Sequence, residues 1–366
     1  MLRATLLIWA LASAIALAQH PGRKLPDSPR ADTATPIISE VLAAQIMLDR
    51  SGFSPGEIDG KAGPNFQKAL TAFQESRGLP TSGLLDEATA ERLHDDNGDD
   101  PAVVTHVLTD VDVAGPFQAA IPADLVQQSK LPALGYRNTL EALGEKFHAS
   151  PALLQTLNKG QTFATVGEQV VVPNVVVWDG TQVTHTKNPA LTKNTKITKD
   201  AKATQGRQTT QSPRLPQTAQ AAQSADDAAA AGIRIVVTKR SSALTVEDEG
   251  GRVLFYAPVT TGSSHDPLPI GTWKVTVVQE MPAFHYNPKL FWDANPSQSQ
   301  ATIRPGPNNP VGVAWIDINK EHYGIHGTPE PSTVGHTQSH GCVRMTNWDV
   351  RRLLEWARPG TPVVFQ

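Results

Sequence analysis

A polar stretch at residues 186–231 limits how this chain can fold more than any other feature of its sequence. The stretch is rich in Thr, Lys, Gln, Ala and Ser and nearly lacks large apolar side chains. Such a composition buries too little apolar surface to offset the entropy lost on ordering. We therefore expect a flexible linker with a root-mean-square span of about 40 Å and separate folding units on either side of it.

The size and charge of the chain narrow the possible classes further. Its 366 residues exceed what one ordinary domain needs, and its 29 prolines and 27 glycines indicate many turns and linkers. The net charge is -3, so the chain lacks the basic field that nucleic-acid-binding proteins carry. We expect several domains and no nucleic-acid partner.

The N-terminus has the pattern of a signal peptide at residues 1–18. Arg3 gives a positive start, an apolar run follows over residues 6–17, and Ala16-Leu17-Ala18 fits the small-x-small cleavage rule. The alternative is a membrane anchor, but the run is short for a membrane span. We expect an exported, periplasmic protein that begins at Gln19 and is not stably inserted in the membrane.

The chain has a single cysteine, Cys342, so it forms no intrachain disulfide. In an exported protein a lone thiol is exposed to oxidation and to unwanted pairing. Such a thiol is usually either buried and inert or kept for its reactivity. Composition leaves both readings open, and the local sequence decides between them.

Residues 36–95 have the pattern of a small helical domain. Phe66, Ala69, Leu70 and Phe73 follow the spacing of one helical face, and Asp86 fits the cap of a third helix. The region resembles the peptidoglycan-binding domain of many wall enzymes, and a generic three-helix bundle is the alternative. The residues that carry the resemblance are Gln45, Leu48, Gly52, Asp59-Gly60, Gly63-Pro64, Ala69, Phe73-Gln74, Gly78-Leu79, Gly83, Asp86 and Thr89.

Residues 105–178 resemble a LysM glycan-binding module of α+β type. The resemblance rests on the order of Tyr136–Leu140, two short apolar helical patterns and a closing strand at Gly167–Pro173. The sequence departs from the family where Arg137-Asn138 replaces the usual Gly-Asp, and it shows no clear first strand. An ordinary α/β spacer is the alternative.

The last region, residues 232–366, is rich in strand patterns. Runs such as residues 233–237 and 243–246 favour β structure, and residues 273–277 alternate as in a half-buried strand. One helix is predicted near the end, with Asn347 as its cap. We expect a mainly β domain, sandwich-like, with few helices.

Chemistry concentrates between His322 and Met345. This stretch holds His322, His326, His336 and His340 together with Cys342. A thiol reacts as its thiolate, and a nearby imidazole can take its proton. Gly341 allows a tight backbone in front of the nucleophile, with main-chain N–H groups free to face an oxyanion.

This stretch is similar to the signature of the YkuD-type L,D-transpeptidases. The segments that carry the resemblance are Pro269–Trp273, Asn309–Gly312, Tyr323–Thr328, Ser339–Met345 and Gly360–Val364. The resemblance covers the whole last region.

The resemblance implies a role for each matching residue. Cys342 aligns with the nucleophile and His326 with the general base. The carbonyl of Gly327 would hold the other ring nitrogen of His326. His340 aligns with the histidine that supports the thiolate or its loop, and the N–H groups of Gly341 and Cys342 would form the oxyanion hole.

Three further residues are implied as substrate contacts, namely Arg344, Ser339 and Tyr323. We expect Arg344 to bind a substrate carboxylate, because a planar cation suits that task. The alternative role for Arg344 is an ion pair that holds its own loop.

The implied reaction is acyl transfer on peptidoglycan stem peptides, without a metal or organic cofactor. The thiolate would attack the bond between diaminopimelate and D-alanine, release D-alanine, and pass the acyl group to an acceptor amine. The products could be cross-links, a wall-linked lipoprotein or exchanged D-amino acids. Water as acceptor would make the protein an L,D-carboxypeptidase. Its partners would be stem peptides and glycan strands, and a monomer is expected.

Two readings from other classes stay open. His322 and His326 are four residues apart, as are His336 and His340, and such spacings recur in zinc sites. The glycines in this stretch argue against the helix that this spacing needs. The second alternative is a catalytically inactive wall-binding protein.

Overall fold

A computed structural model describes residues 38–177 and 232–366. The predicted signal peptide at 1–18 and the whole of the predicted linker at 186–231 lie outside the described residues. Within the described ranges, no helix is both long enough and apolar enough to span a membrane. The described residues belong to one compact unit.

The first module consists of three helices. They are α1 (Glu40–Arg50), α2 (Pro64–Arg77) and α3 (Glu87–Asn97). Pro64 begins α2, where its missing N–H has no helical partner to lose, and the side chain of Asp86 accepts from the Thr89 N–H at the start of α3. The predicted helical domain is confirmed, and Phe66, Ala69, Leu70 and Phe73 are buried as its periodicity requires.

Two buried glutamines brace the loops of this module. Gln45 accepts from the Gly60 N–H at 2.7 Å and donates to Asp59 at 3.0 Å. Gln74 accepts from the Gly83 N–H and donates to Thr89, both at 2.9 Å. These motif residues therefore satisfy buried polar groups within the module.

The middle module pairs two strands around short helices. Its elements are β1 (Val103–Val107), α4 (Asp110–Val113), α5 (Leu125–Gln128), α6 (Thr139–Lys146), α7 (Pro151–Leu157) and β2 (Gln169–Pro173). Strands β1 and β2 are antiparallel. The sequence indicated β2 but not β1. The residues between β1 and α6, 108–138, form the segment that we call the β1–α6 connection. The LysM assignment of this module stays a prediction.

The last module is built on one curled sheet of eight strands with a separate two-stranded ribbon. The strands are β3 (Arg234–Thr238), β4 (Ala243–Glu247), β5 (Val253–Pro258), β6 (Gly271–Glu280), β7 (Phe284–Tyr286), β8 (Ala301–Ile303), β9 (Ala314–Ile318), β10 (Gly324–His326), β11 (Val343–Arg344) and β12 (Pro362–Phe365). The sheet order is β11-β10-β9-β6-β12-β3-β4-β5, and β7 pairs with β8.

Strand β6 joins the two halves of this sheet. Its first residues pair with β12 and its later residues with β9, and the register shifts between Val275 and Val277. Such a bulge increases the local twist and bends the strand. The sheet therefore curls around a core that includes Ile235, Leu244, Phe255, Ile316 and Ile325, which gives the mainly β, sandwich-like domain that the sequence predicted.

The two ends of the curled sheet meet at Thr260 and Arg344. The Thr260 N–H donates to the Arg344 carbonyl at 3.0 Å, and the Arg344 N–H donates back at 2.9 Å. Thr260 follows β5, whereas Arg344 ends β11 at the opposite edge of the sheet. The edge strand that follows Cys342 is thereby paired on both sides.

The C-terminal helix α8 (Asn347–Leu353) begins one residue earlier than predicted. Thr346 is its cap and accepts from the Asp349 N–H, so the assignment of the cap to Asn347 was wrong. The Asn347 side chain instead accepts from the Val313 N–H at 3.1 Å and donates to Glu145 at 2.7 Å. It links α8 to strand β9 and to the middle module.

Buried polar side chains join all three modules. Asp49 of α1 pairs with His148 of the middle module at 3.0 Å, and His148 stacks on Trp348 of α8 with ring centroids 5.2 Å apart. Ser54 donates to Asp349 at 3.0 Å. Burial raises the pKa of Asp349 to about 7, and the charge of Asp49 adds to this. Deprotonation of Asp349 is therefore unfavourable in the folded chain.

The junction predicts a stability that falls as the pH rises. The folded chain holds a proton on Asp349 up to about pH 7, whereas an unfolded aspartate loses it near its ordinary pKa. Its contribution is thus complete at low pH and is lost as the pH passes through about 7. We expect Asp349→Asn to flatten the pH dependence of the thermal midpoint, measured by circular dichroism between about pH 5 and 8. Asp110→Asn, at an exposed position, is the control. A wild-type slope in Asp349→Asn would refute this account.

Candidate active site

Strand pairing places three of the predicted site residues on one face of the sheet. Strands β10 and β11 are parallel, with His326 beside Arg344 and Ile325 beside Val343. Since side chains alternate along a strand, Ile325 and Val343 point into the core, where both are fully buried. His326 and Arg344 point to the opposite face, and Cys342 lies two residues before Arg344, on the same face.

His326 is a buried imidazole with a defined tautomer. Its Nδ1 lies 2.6 Å from the carbonyl oxygen of Gly327. Because a carbonyl only accepts, Nδ1 carries the proton, and Nε2 of the neutral ring keeps its lone pair. Burial lowers the pKa of His326 to about 3, and the charge of Arg344 lowers it further while the Gly327 carbonyl opposes the shift. The ring is neutral at pH 7 and can accept a proton through Nε2.

Trp315 holds the ring of His326 in place. The two residues are opposite each other on β9 and β10, and their rings stack at 5.3 Å with an interplanar angle of 15°. The indole also covers Gly324, where an added Cβ would lie 2.6 Å from Trp315 Cζ2. Sequence reasoning did not assign Trp315 a role. Its only signal is the alternation of β9, which places it on the site face.

Cys342 is half-buried, and its thiol lies near backbone groups of the preceding loop and strand. Its Sγ donates to the carbonyl of His322 at 3.6 Å. Burial raises the pKa of Cys342 to about 11, although the Gly324 N–H and the charge of Arg344 act in the opposite direction. The resting site therefore contains a neutral thiol and a neutral imidazole. Reaction at the sulfur requires proton removal as the substrate reacts.

His322 contributes through its backbone. Its side chain is exposed. Its φ of 67°, however, is in the left-handed region that few side chains adopt. This conformation accompanies the carbonyl contact with Cys342, which sequence reasoning did not anticipate.

The turn before Cys342 is held at several points. Ser339 is buried, and its hydroxyl donates to the Cys342 carbonyl at 2.6 Å. Its N–H donates to the Thr261 carbonyl at 3.0 Å, and its carbonyl accepts from Ser263 at 3.1 Å. These contacts hold Ser339 in the turn, and its contact with substrate stays a prediction.

Gly341 has the backbone freedom that this turn requires. Its φ is 105°, and an added Cβ would lie 2.7 Å from the ring of Tyr323. Tyr323 is half-buried and thus packs on the turn beside the thiol. Across residues 38–177 and 232–366, neither the Gly341 nor the Cys342 N–H donates to a protein group. Both donors are free to face an oxyanion.

His340 points to a ribbon beside the site. Its Nε2 lies 2.7 Å from Asp293 Oδ1, and its ring contacts Phe291 edge-on at 5.1 Å. Its Nδ1 is buried without a partner in the described part of the chain. Asp293 was not among the predicted residues, because nothing in the local sequence links it to His340, 47 positions away.

Arg344 is half-buried with an uncommitted guanidinium. Its backbone is bonded to Thr260, but its side chain makes no hydrogen bond or ion pair with any residue that the structure describes. The alternative reading, an ion pair that holds the loop, is therefore not seen in these residues. Burial lowers the pKa of Arg344, and the nearby charges of Cys342 and Asp293 oppose the shift. A buried cation without a partner favours an anionic ligand.

The four histidines of this stretch do not converge. His322 is exposed beside Glu321, His336 approaches Asn65 at 3.5 Å, and His340 is turned to Asp293. Among the residues described, no group of three or more His, Cys, Asp or Glu side chains is close enough to hold a metal ion. Neither i, i+4 pair is helical, because His326 is on a strand and His336 and His340 are in turns and bends outside any helix.

Comparison with known families agrees with two of the three modules. The family model described as "L,D-transpeptidase catalytic domain" matches residues 232–365. The model described as "Putative peptidoglycan binding domain" matches residues 39–93.

Individual relatives that match part of this chain are named as L,D-transpeptidases. The Bacillus subtilis protein named "Putative L,D-transpeptidase YqjB" is 33% identical over 136 residues, which is 36% of this chain and 69% of that protein. The Bacillus licheniformis "Putative L,D-transpeptidase YkuD" is 47% identical over 60 residues, 16% of this chain and 36% of that protein. The chain thus spans about a third of the YkuD relative.

A solved structure titled "L,D-transpeptidase from Mycobacterium smegmatis" aligns with 37% of this chain and 58% of its own, at 18% identity and a TM-score of 0.31.

Because Cys342 and His326 are both neutral at rest, the rate at which the thiol is alkylated should depend on pH. With a pKa of about 11 for Cys342, the thiolate fraction rises about tenfold per pH unit below that value. We expect the rate of iodoacetamide labelling to rise in this way between about pH 6 and 9, as measured by intact mass. Cys342→Ala, which has no cysteine left, is the blank. A fast rate that is constant from about pH 5 to 8 would instead indicate a preformed thiolate–imidazolium pair.

The contact between Trp315 and Gly324 predicts a steric effect on His326. Gly324→Ala must displace the indole that stacks on the imidazole. We expect acylation of Cys342 by a stem peptide to slow about 100-fold, since small misplacements of a catalytic group have effects of that size. Gly63→Ala is the matched control, because no atom lies within 4 Å of its added Cβ. Circular dichroism checks that both variants fold. Equal acylation rates in the two variants would contradict the positioning role of Trp315.

Proposed function

The chain belongs to the YkuD-type L,D-transpeptidase family, and on that premise we propose that it remodels peptidoglycan by acyl transfer through Cys342. The observation that carries the proposal is the composition of one sheet face. A thiol, an imidazole with a free Nε2 and an unpaired guanidinium share it. Two free N–H groups lie at the turn beside them.

The first half of the reaction forms a thioester. His326 Nε2 takes the thiol proton as Sγ attacks the carbonyl between diaminopimelate and D-alanine. The N–H groups of Gly341 and Cys342 stabilise the oxyanion that develops. The imidazolium then protonates the departing amine, the C–N bond breaks, and D-alanine leaves. Gly327 keeps the ring in the tautomer that this step needs.

The second half passes the acyl group to an acceptor. An amine of a neighbouring stem attacks the thioester, His326 takes its proton, and the sulfur leaves and is reprotonated. Other acceptors in the same step would give lipoprotein attachment or D-amino-acid exchange, and water would give carboxypeptidase activity.

Arg344 has the role of a carboxylate anchor in this proposal. A guanidinium binds a carboxylate through two parallel hydrogen bonds and so fixes its orientation. Stem peptides carry carboxylates at the terminal D-alanine and on diaminopimelate, on either side of the bond that breaks. An anchored carboxylate would hold the scissile carbonyl near Cys342 Sγ.

The other modules and the location complete the proposal. The first module belongs to a peptidoglycan-binding family, and we propose that it binds the wall near the catalytic module. The protein would be an exported, periplasmic monomer, with glycan strands as a further partner. His340 would support the catalytic loop, and Tyr323 would pack beside the substrate.

The deciding experiment for this function is mass spectrometry of tetrapeptide muropeptides after incubation with the mature protein and with Cys342→Ala. A dimer lighter by one D-alanine than two substrates, formed by the wild type alone, is the expected result. Tripeptide alone would make hydrolysis the main activity. Absence of any product dependent on Cys342 would reject catalysis and favour the wall-binding protein.

The role of Arg344 predicts how substrate preference changes. Wild-type kcat/KM should fall about 10- to 100-fold when the carboxylate that Arg344 holds is converted to an amide, since charge-assisted hydrogen bonds contribute about 1.5–3 kcal/mol. Two donors test this, one amidated at D-alanine and one at diaminopimelate. Arg344→Gln should react with the parent and the relevant amide at equal rates. A wild-type ratio retained in Arg344→Gln would exclude the anchor.

A further inference from the structure

A ribbon next to Cys342 contains the groups that hold His340. We call residues 284–303 the flap. They comprise β7, a 3-10 turn at Pro288–Leu290, and β8. Asp293 on the flap pairs with His340 at 2.7 Å, and Phe291 packs against the same imidazole. His340 is two residues before Cys342, so the position of the flap bears on the turn that carries the thiol.

The flap also reaches the opposite rim of the site. Its Trp292 is 58% exposed, yet its indole stacks on His265 with centroids 4.3 Å apart. His265 follows Thr260 and Ser263, whose backbones bond to the catalytic strand and turn. The flap therefore contacts the site at two places, one at His340 and one at the rim.

The flap cannot hold this position by itself. Strands β7 and β8 form three residue pairs and join no other strand of the described sheets. An isolated two-stranded ribbon of this length is marginally stable in water. Support must come from what packs behind it.

That support is the β1–α6 connection of the middle module. Leu134 is fully buried in a cluster with Tyr286 of β7 and Ile303 of β8. Ile121, Leu125, Val126 and Leu131 pack around the same cluster. The apolar side of the flap is thus covered by residues from a module more than a hundred positions earlier in the chain.

Polar contacts fix the registry of the two segments. Gln298 of the flap donates to Asp124 at 2.6 Å and accepts from Tyr286 at 2.7 Å. The Asn308 N–H, just beyond β8, donates to the Leu134 carbonyl at 3.0 Å. At Gly306 an added Cβ would lie 2.1 Å from that carbonyl oxygen. The backbones therefore approach too closely for any other residue.

We propose that the β1–α6 connection positions the flap, and that Asp124 and Leu134 are positioning residues that act on the active-site turn through Asp293 and His340. The effect of this flap positioning on catalysis rests on the proposed function. The middle module thereby sets the position of the turn that carries Cys342, in addition to any part that it has in binding the wall.

Hydrogen exchange of the full mature chain tests the physical part of this proposal. Asp124→Ser shortens the side chain that bonds Gln298 but keeps a residue type that caps α5. Leu134→Ala removes the central apolar contact. We expect exchange in peptides from 284–303 to become at least about threefold faster in both variants, with no change in α1–α3. Asp110→Ser, in the same connection but exposed and without a side-chain hydrogen bond or ion pair to the flap in the described part of the chain, should exchange as the wild type does.

Kinetics test the transmission to the site. Asp124→Ser should raise KM for the tetrapeptide donor about fivefold with a smaller change in kcat, and should leave iodoacetamide labelling of Cys342 unchanged. In a double-mutant cycle, the effect of Asp124→Ser should largely disappear in an Asp293→Asn background. Fully additive effects would show that the connection does not act through Asp293.

The exchange and kinetic experiments together distinguish failure of this inference from failure of the proposed function. Faster exchange confined to the flap region supports positioning even if the wild type forms no product from stem peptides, which would reject only the function. Unchanged flap exchange in both Asp124→Ser and Leu134→Ala overturns the inference, whatever the activity.

Discussion

The two backbone hydrogen bonds between Thr260 and Arg344 are the constraint on which the site depends. Strand β11 has only two residues, too few to hold a position through one neighbour. It pairs with β10 on one side and with Thr260 on the other. The curled sheet thus closes at the strand that follows the nucleophile. Because this closure defines the register, Cys342, His326 and Arg344 share one face and their neighbours Ile325 and Val343 fill the core.

Burial then determines the chemistry of that face. It raises the pKa of Cys342 and lowers that of His326, so both groups are neutral at rest. A neutral thiol is less prone to oxidation than a thiolate, which protects the single cysteine of the chain at rest. In the proposed reaction, the site gains reactivity when substrate binds, because the imidazole then accepts the thiol proton and the free N–H groups face the oxyanion. Arg344 is half-buried and its guanidinium has no hydrogen-bond or ion-pair partner in the described residues, so of all the groups in the site it most favours an anionic ligand.

The modules are joined by contacts that also reach the site. Glu145 of the middle module bonds Asn347, whose side chain holds Val313 beside the Gly327 turn. Asp49, His148 and Asp349 form a buried polar junction on the other side of α8. The catalytic module is therefore braced by the two modules before it. An interpretation of the chain as a catalytic domain with separate binding domains does not include these contacts.

Sequence reasoning located the parts of the site that lie in contiguous motifs. Cys342, His326, Gly327 and Arg344 fall within two short segments, and their chemistry is legible from residue type and spacing. Trp315 and Asp293 were missed because register and packing, not sequence proximity, bring them to His326 and His340. Strand β1 was missed as well, since a strand of five residues with only one of them buried gives a weak pattern.

The error at the start of α8 has a similar cause. Thr346 and Asn347 are both good capping residues, and only the tertiary contacts of Asn347 with Val313 and Glu145 decide that Thr346 is the cap. Helices α1 to α3 were easier to predict, because their apolar spacing and caps are local.

The most direct test of the central claim is intact-protein mass spectrometry during reaction with a tetrapeptide donor in the absence of an acceptor amine. We expect a transient adduct on Cys342 with the mass of the donor less D-alanine. We also expect that His326→Gln, which keeps the thiol but lacks the base, accumulates this adduct far more slowly. An adduct that forms equally fast in His326→Gln, or none in the wild type, would contradict a Cys342–His326 acyl-transfer site.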